Sequence, residues 1–476
     1  MRRLTFALFA VLLACCASVS EKSRGLEVGP DYQRPEFDAP PSFRSQLEPA
    51  EAASIADLPW WQIFDDPKLV ALIGEALHQN YDLQVAVARV QESRALVGVA
   101  ASQFFPQLGY EGDAQREKIL SPLGGPNPTL DLFTGLFNMA WEIDLWGRIR
   151  RSTEAARANL LAAEYARRGV MLTLVSNVAA AYFELVELDR QLQIARDSSN
   201  TYSQTLTYFT RRYNGGTDTR LSTSRAEASL EASRATIATL QIQIAQQENA
   251  ISVLLGSTPK AIERAESPIH PMVDAAAGQT TVLLRRRPDI LQAEQSMISA
   301  NAQVGVAVAN FFPTIGLSAL YGGQSGNIGD ILKTNFAVWG IGASMTGPLF
   351  QGGKLYESYR AQKAYWDETV AQYQATIIEA FREVSDALVA QQMLAEKRSA
   401  LEKQVAALSV AVRLSLDRYN IGLARYYEVL EAEQELYPAE DALAQTERDQ
   451  LLAVVSLYKG LGGGWRLSDQ QWTPPR

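Results

Sequence analysis

Two very long stretches of the chain have the composition of α-helix. Residues 148–213 contain no proline and a single glycine, Gly169, and residues 354–419 contain neither residue type. Both stretches are rich in Ala, Leu, Glu, Gln and Arg, with small residues on several faces. A run of roughly 66 residues forms a helix about 100 Å long, far beyond an ordinary globular helix, so the pattern predicts coiled-coil packing.

Shorter helical runs accompany the long ones, over residues 67–103, 221–255 and 427–459. Two such helices placed end to end match the length of one long helix. The pattern therefore predicts a long helix beside a column of two shorter helices. Pro438 lies inside the last run and is expected to kink that helix without ending it.

Between the helical runs the hydrophobic period changes to two. The segments "LFNMAWEIDLW" and "FAVWGIGASMTG" alternate apolar with polar or small residues and contain aromatic rings, which predicts strands. The segments "FFPQLGYEGDA" and "FFPTIGLSALYGG" are expected to pair with them as hairpins. The residues predicted to share one face are Phe137, Met139, Trp141, Ile143 and Leu145 in the first hairpin, and Ala337, Trp339, Ile341, Ala343 and Met345 in the second.

The chain also repeats itself at an offset of about 206 residues. "RRYNGG" begins at Arg211 and "DRYNIG" at Asp417, while "SQFFPQLGY" resembles "ANFFPTIGL". The sequence thus predicts two copies of one unit of about 200 residues, too long for a solenoid repeat. Each Arg-Tyr-Asn-x-Gly turn is expected to end a long helix, with Asn and Gly supplying left-handed backbone geometry.

These elements give a predicted organisation for the whole chain. It comprises a signal peptide at 1–14, an extended tail at 15–57, a first repeat at 58–256, an equatorial linker at 257–287, a second repeat at 288–460 and a C-terminal tail at 461–476. Within the repeats lie hairpins at 104–146 and 311–350, long helices at 148–213 and 354–419, and shorter helices at 221–255 and 427–459.

The N-terminus has the features of a targeting segment. An apolar core follows Arg2 and Arg3 and is too short to span a bilayer, so cleavage is expected. A small residue followed by Cys15 is similar to a bacterial lipoprotein signal, which makes Cys15 the expected acylated residue and Cys16 the second choice. Ordinary cleavage near Ala17 is the alternative. Neither cysteine is followed by Asp, and by analogy this favours the outer membrane.

Composition excludes several classes of function. No cysteine follows Cys16, so neither disulfides nor a thiolate metal site are expected. The formal charge of −9 disfavours nucleic-acid binding. No later uninterrupted apolar stretch is long enough for a transmembrane helix.

The hairpins require partners if they cross a membrane. In lipid only a closed barrel leaves no backbone group unpaired, and bacterial barrels have at least about eight strands. Four strands per chain would then give eight strands from two chains or twelve from three. The alternative is a soluble pair of hairpins packed on a helical domain.

An ordered set of motifs carries a family resemblance over nearly everything after about Val28. These motifs are "VGPDYQRP", "RRRPDILQAE", "VGVAVANFFPTIGL", "GPLFQGGK", "AFREVSDAL", "DRYNIGLARYYEVLEAEQELYPAE" and "LYKGLGGGW". Together they resemble outer-membrane efflux lipoproteins of the TolC/OprM type, the outer-membrane factors of tripartite RND-type efflux systems. The resemblance implies a mainly α fold with a β-barrel part, built by a homotrimer as a 12-stranded outer-membrane barrel continued by a 12-helix periplasmic barrel. It also implies two partners, a periplasmic adaptor and an inner-membrane RND-type transporter.

Candidate site residues lie near the helix turns. By resemblance, Tyr427 and Glu431 match residues that ring the closed periplasmic mouth, with Leu221 and Arg225 at the corresponding positions of the first repeat. Residues at i and i+4 share one helix face, so ordinary surface pairing is the alternative. Two turns resemble adaptor-docking tips, with pure helix capping as the alternative; they comprise Asn214, Gly215, Gly216 and Thr217, and Asn420, Ile421, Gly422 and Leu423.

The expected function is a passive exit duct for drugs or other toxic small molecules. No nucleophile–base pair or metal cluster indicates an enzyme or a cofactor, and His78 and His270, the only histidines, are expected to be structural. Type I protein secretion, metal-ion efflux and a non-porous coiled-coil spacer remain alternatives. The alternating strands argue against a spacer. The small numbers of His (two) and Met (seven) and the lack of Cys after Cys16 argue against soft-metal handling.

Overall fold

A computed structural model describes residues 26–44, 46, 54–63, 66–118, 129–264, 280–468 and 471–472. The chain forms two compact units. The strand unit comprises the chain up to Pro35 together with Gln91–Ala162 and Glu294–Gln372. The helix unit comprises Glu36–Val90, Ala163–Ala293 and Tyr373–Arg476. The predicted lipidation residues Cys15 and Cys16, and His270, lie outside the described residues.

The described residues form eight α-helices and four β-strands. The helices are α1 (Pro67–Gln79), α2 (Tyr81–Ser102), α3 (Arg148–Asn214), α4 (Arg220–Leu254), α5 (Thr280–Arg286), α6 (Pro288–Ala309), α7 (Lys354–Asn420) and α8 (Tyr426–Gly460). The strands are β1 (Gln107–Lys118), β2 (Thr129–Ile143), β3 (Thr314–Ser325) and β4 (Ala337–Thr346).

The duplication predicted from the sequence is present in the helices. Helices α3 and α7 are each 67 residues long, and α4 and α8 are each 35 residues long. Both members of each pair begin and end 206 residues apart (354 − 148 = 206; 426 − 220 = 206). Helix α8 continues through Pro438, as expected.

The helix predicted over residues 67–103 is wrong in one respect, because it is interrupted at Asn80. Asn80 has an extended backbone, with φ −62° and ψ 130°, and separates α1 from α2. Its side-chain Oδ1 accepts a hydrogen bond from the backbone N–H of Leu83 at 3.0 Å, and its Nδ2 donates to the carbonyl oxygen of Leu254 at 3.0 Å. The side chain therefore caps α2 and ties the break to α4, which compensates for the lost helical hydrogen bonding.

The four strands form one antiparallel sheet in the order β1-β2-β3-β4. The two hairpins therefore lie side by side, joined by the pairing of β2 with β3. Strand β2 ends at Ile143, so Leu145, predicted on the same face, lies in the bend that follows the strand. Trp146 in this bend donates from its indole Nε1 to the carbonyl oxygen of Pro313 at 2.8 Å.

The N-terminal tail is attached to the strand unit by ion pairs. The guanidinium of Arg151, 5% exposed, contacts Glu27 at 3.1 Å and Asp31 at 2.8 Å. Arg34 forms a paired hydrogen bond with Glu294, one arm of which measures 2.6 Å from Nε to Oε1. Because a buried guanidinium needs partners, these carboxylates fix the course of the tail over the strand unit.

The core of the helix unit contains large side chains from both long helices. Tyr182 is fully buried and donates its hydroxyl hydrogen to Asp66 Oδ2 at 2.5 Å. Val178 of α3 and Val384 of α7, which are 206 residues apart, are both at 0% exposure. One 18-residue window of α3 is apolar enough to cross a membrane by composition, but 61% of that window is buried inside the protein.

Candidate functional site

One face of the sheet carries a row of exposed aromatic rings. Tyr110 lies opposite Phe137, Phe137 opposite Tyr321, and Tyr321 opposite Trp339. Residues directly opposite each other project from the same face, so these four rings form one row across all four strands. Their exposed fractions are 86%, 71%, 64% and 72%. Aromatic girdles beside an apolar band are typical of the lipid-facing side of membrane barrels.

The next row on this face is also apolar, whereas the opposite face is mainly polar or small, with Leu130, Leu132, Leu136, Leu320 and Val338 as its large apolar side chains. The neighbouring row contains Leu108, Met139, Ala319 and Ile341. The opposite face carries Glu111, Asp113, Glu117, Asn138, Glu142, Ser318 and Ser344. An apolar outer face and a polar inner face are the arrangement that a water-filled barrel requires.

The sheet has two open edges. Among the described residues β1 pairs only with β2, and β4 pairs only with β3. Each edge strand is at least ten residues long, which leaves a row of backbone N–H and C=O groups without a sheet partner. A single chain therefore supplies an arc of a barrel and not a closed one.

The two helix turns have the same backbone geometry. Gly216 and Gly422 have φ values of 71° and 80°. The amide of Thr217 donates to the carbonyl of Arg212 at 2.9 Å, and the amide of Leu423 donates to the equivalent carbonyl, that of Arg418, at 2.8 Å. This is the Schellman pattern, in which a left-handed glycine ends a helix.

The expected contribution of asparagine to this geometry is wrong. Asn214 and Asn420 are the last helical residues of α3 and α7, and the left-handed position falls on the glycine two residues later. All eight predicted tip residues are exposed. A Cβ built on Gly216 or Gly422 meets no atom within 4 Å, so the space above both glycines is open.

The four predicted mouth residues lie on the first turns of α4 and α8 with their side chains exposed. Leu221 is 61% exposed and Tyr427 is 57% exposed, and Arg225 and Glu431 are exposed as well. Among the described residues no ion pair links Arg225 to Glu431 within one chain.

An aromatic cluster that sequence reasoning missed joins α3, α7 and α8 next to the turns. The ring centroids of Phe209 and Tyr426 are 4.1 Å apart, and those of Tyr419 and Tyr426 are 5.9 Å apart. The Arg212 guanidinium lies 5.8 Å from the centroids of Tyr208 and Tyr419. Burial, and to a smaller extent contact with Tyr208, raises the pKa of Tyr419 to about 12, so this phenol stays neutral. Only the aromatic content near the turns could have signalled the cluster.

Sequence reasoning also missed several buried carboxyl groups of the helix unit. Glu187 of α3 and Glu433 and Asp441 of α8 each have a buried oxygen without a hydrogen-bond partner. Burial raises the pKa of all three. The guanidinium of Arg448 lies 3.4 Å from Glu187 and partly offsets the effect of burial there.

Metal and cofactor chemistry finds no support in the described part of the chain. No group of three or more His, Cys, Asp or Glu side chains there could hold a metal ion. His78, exposed at the end of α1, lines a shallow cavity of about 340 Å³ together with Arg167 and Trp472. No nucleophile accompanies it among the residues that line this cavity.

An open sheet with an aromatic outer face, joined in one chain to two exceptionally long helices, defines a subunit of a membrane β-barrel channel. Such a subunit is a transport component and not an enzyme. The model of the outer membrane efflux protein family matches residues 72–257 and 281–463. The chain belongs to this family.

Relatives and solved structures agree with this assignment. The chain is 33% identical over 459 residues to the cation efflux system protein CusC of Escherichia coli O157:H7, covering 96% of this chain and 99% of that protein. It is 32% identical over 471 residues to the probable efflux pump outer membrane protein TtgC of Pseudomonas putida, covering 97% and 95%. The solved outer-membrane channel OprN has a TM-score of 0.87 at 30% identity, covering 92% of this chain and 99% of that structure.

Proposed function

We propose that this protein is the exit duct of a tripartite efflux pump in the outer membrane of a Gram-negative bacterium, where three copies close one barrel. The observation that carries the proposal is the sheet of four strands with two open edges and an apolar outer face. Three such sheets supply twelve strands, and closure pairs every edge, as lipid demands. The duct performs no chemistry, and the inner-membrane transporter provides the energy.

Helix α7 supports assembly with further copies of the same chain. It has no buried residue from Val389 to Asn420, yet large apolar side chains occupy this part of the helix. Those more than one third exposed are Val389, Met393, Val410, Leu414 and Leu416. A neighbouring copy that covers them would continue the helices into a tunnel wall, as close-packed small and apolar residues allow.

Assembly is tested on the purified, detergent-solubilised protein by native mass spectrometry and by conductance in planar lipid bilayers. The expected results are a trimer and a steady ionic current. A lone subunit without current would remove the duct proposal.

The residues Tyr427 and Glu431 form the proposed gate, with Leu221 and Arg225 beside them. Three copies of Tyr427 narrow the aperture, and three Glu431 carboxylates set its charge. Like charges brought together repel, so this ring requires cations, Arg225 or partial protonation to close. The exposure of all four side chains in a single chain agrees with a role between chains.

Channels with Tyr427→Ala and Glu431→Ala substitutions test the gate in planar bilayers. The tyrosine change is expected to raise conductance, and the glutamate change to lower cation selectivity. Arg234→Ala, on the exposed surface of α4 away from the turn, serves as the matched control. Unchanged current and selectivity in both gate variants would mean that Tyr427 and Glu431 are ordinary helix-surface residues and not a gate.

The two exposed turns are the proposed docking tips for the periplasmic adaptor. Open space above Gly216 and Gly422 lets another helical hairpin approach closely. Gly422→Trp is expected to abolish drug export and adaptor cross-linking, and Gly353→Trp, at another open left-handed glycine in the strand unit, is the control for the backbone strain. Intact cross-linking in the Gly422 variant would move docking away from this tip.

The proposed cargo is a class of toxic small molecules, including drugs. The small numbers of His (two) and Met (seven) in the sequence and the lack of Cys after Cys16 support this cargo over soft metal ions. Cation efflux is the second candidate, because CusC is a relative at 33% identity. A deletion strain separates the two: accumulation of dyes and antibiotics supports the first, and sensitivity to metal cations alone supports the second.

The proposed membrane anchor is a lipid on Cys15. Cys15→Ser is expected to abolish the mass increase from acylation, and Cys16→Ser is expected to retain it. The reverse result would place the anchor on Cys16.

A further inference from the structure

Glu433 is a buried acid without a counter-charge. It lies on α8, is 4% exposed, and its Oε2 has no hydrogen-bond partner. Burial alone raises its pKa to about 7. A carboxylate that loses water and gains no partner is strongly disfavoured, so this site accommodates the protonated acid.

The groups around Glu433 come from α3, α4 and α8, and they are neutral. Three phenols lie near Glu433, namely Tyr202 of α3 and Tyr426 and Tyr437 of α8. Burial is the main cause of the raised pKa of each phenol, and the charge of Glu433 raises it further. Leu230 of α4 completes the buried cluster with Tyr202. No cationic side chain of the described residues contributes to the pKa of Glu433.

The cluster fastens α8 to α3 next to the proposed gate. The ring centroids of Tyr202 and Tyr437 lie 5.8 Å apart, which joins the two helices directly. Tyr427 and Glu431 lie on α8 within two turns of Glu433. A change in the packing of this part of α8 against α3 therefore shifts both gate residues.

The first repeat lacks this arrangement although its helices have the same lengths and its turn has the same geometry. The residue that corresponds to Glu433 is Glu227 (433 − 206 = 227), and its side chain is exposed on α4. The residue that corresponds to Tyr426 is Arg220 (426 − 206 = 220). Burial of the acid thus distinguishes the second turn, and a matched control is available in the same chain.

We propose that Glu433 is a proton-operated latch, which holds α8 against α3 while it is protonated and releases α8 when it loses its proton. This inference rests on the proposed function, because the latch acts on the duct's own gate. The ligand of the latch is a proton from the periplasm, and no other group takes part. Glu433 is a positioning residue, since it acts through α8.

The direction of the pH effect follows from linkage. An acid with a raised pKa binds its proton more tightly in the packed state than in the released state. The packing contribution is fully present below the ordinary glutamate pKa of about 4.3 and is lost progressively as pH rises to about 7. The ratio of open to closed channels rises over this window by up to about tenfold per pH unit for each latch, and then levels off.

The test is the open probability of reconstituted trimers in planar bilayers between pH 4.5 and 8. The wild-type channel is expected to open progressively up to pH 7. Glu433→Gln keeps the shape of the side chain but cannot ionise, so this variant is expected to stay at the low-pH level throughout. Glu227→Gln is expected to follow the wild type. If E433Q and the wild type open alike, the latch is wrong.

A second measurement does not depend on the pore. Infrared difference spectra of the wild-type trimer between pH 6 and 8 are expected to show the loss of a protonated carboxyl band, which E433Q lacks and E227Q retains. A wild type without this band overturns the latch even if E433Q fails to assemble. Absence of current at every pH in the wild type would instead contradict the proposed duct, so the two failures are distinguishable.

Discussion

Helices α3 and α7 have the same length and the same place in the two repeats, yet they differ in what they bury. Both are buried where Val178 and Val384 correspond, in the core of the helix unit. Beyond that level α7 has no buried residue from Val389 to Asn420. The matching part of α3 has nine, namely Phe183, Leu185, Glu187, Leu192, Ile194, Ala195, Ser198, Tyr202 and Phe209.

The difference shows how duplicated backbones acquire separate tasks. The distal part of α3 packs on α8 within the chain, through Tyr202 and Tyr437 and through Glu187 and Arg448. The distal part of α7 contributes Tyr419 to the aromatic cluster but keeps other apolar side chains exposed, and the proposed assembly would cover them. The distal part of α3 thus carries more of the packing within the subunit, and that of α7 is available for the proposed assembly.

The largest expected effect concerns the exposed side of α7. Val410→Asp places a charge where a neighbouring chain would bury it without a partner, at a cost of several kcal/mol per interface, roughly the cost of an uncompensated buried charge. Loss of the trimer is expected by native mass spectrometry. The matched control is Gln204→Asp on α3 (410 − 206 = 204), where the exposed position should tolerate the charge. Equal effects at both positions would remove the distinction between the two helices.

The next effect concerns the contact between α3 and α8. Arg448→Gln leaves Glu187, 5% exposed, without its cation and is expected to destabilise the subunit by about 3 kcal/mol. Arg398→Gln, whose guanidinium pairs with Glu402 of α7 at 2.9 Å and with Glu447 of α8 at 3.3 Å in a more exposed setting, is expected to cost at most about 1 kcal/mol. Guanidinium unfolding followed by helical circular dichroism measures both. A larger loss of stability in the Arg398 variant than in the Arg448 variant would contradict the view that α3 makes the main contact with α8.

A smaller effect concerns the buried core, where α3 and α7 have corresponding valines. Val178→Ala and Val384→Ala each remove two methyl groups from a fully buried site, and each is expected to cost about 2 kcal/mol. The same unfolding experiment provides the measurement. Clearly unequal losses would show that the two long helices already differ in the core.

The smallest effect concerns the shared turns. Gly216→Ala and Gly422→Ala force a side chain into left-handed backbone, at about 1 kcal/mol each. Hydrogen exchange of the last turns of α3 and α7 should increase in the corresponding variant. If hydrogen exchange increased in neither variant, the surrounding residues and not glycine would determine the conformation of the turns.

The sequence predicted the repeat, the long helices and the four strands because these depend on local composition and period. The break at Asn80 was missed, since its cause is a contact with Leu254 from another helix. The aromatic row was only partly predictable: alternation placed Phe137 and Trp339 on outer faces, but the row depends on strand register.

The buried acid was beyond sequence reasoning for a similar reason. In "LEAEQELYPAE" the residues Glu431, Glu433 and Glu435 look alike, and only the packing of α8 selects the middle one for burial. The gate and tip residues rest on family resemblance, because nothing in their spacing identifies the opposing chain.

The two open edges of the sheet have a genetic consequence. In the proposed trimer no copy can close the barrel alone, so one faulty copy disables every ring that contains it, and the share of intact rings falls with the third power of the share of intact chains. A variant that still pairs its strands but cannot open should therefore be dominant-negative in a cell that also makes the intact protein.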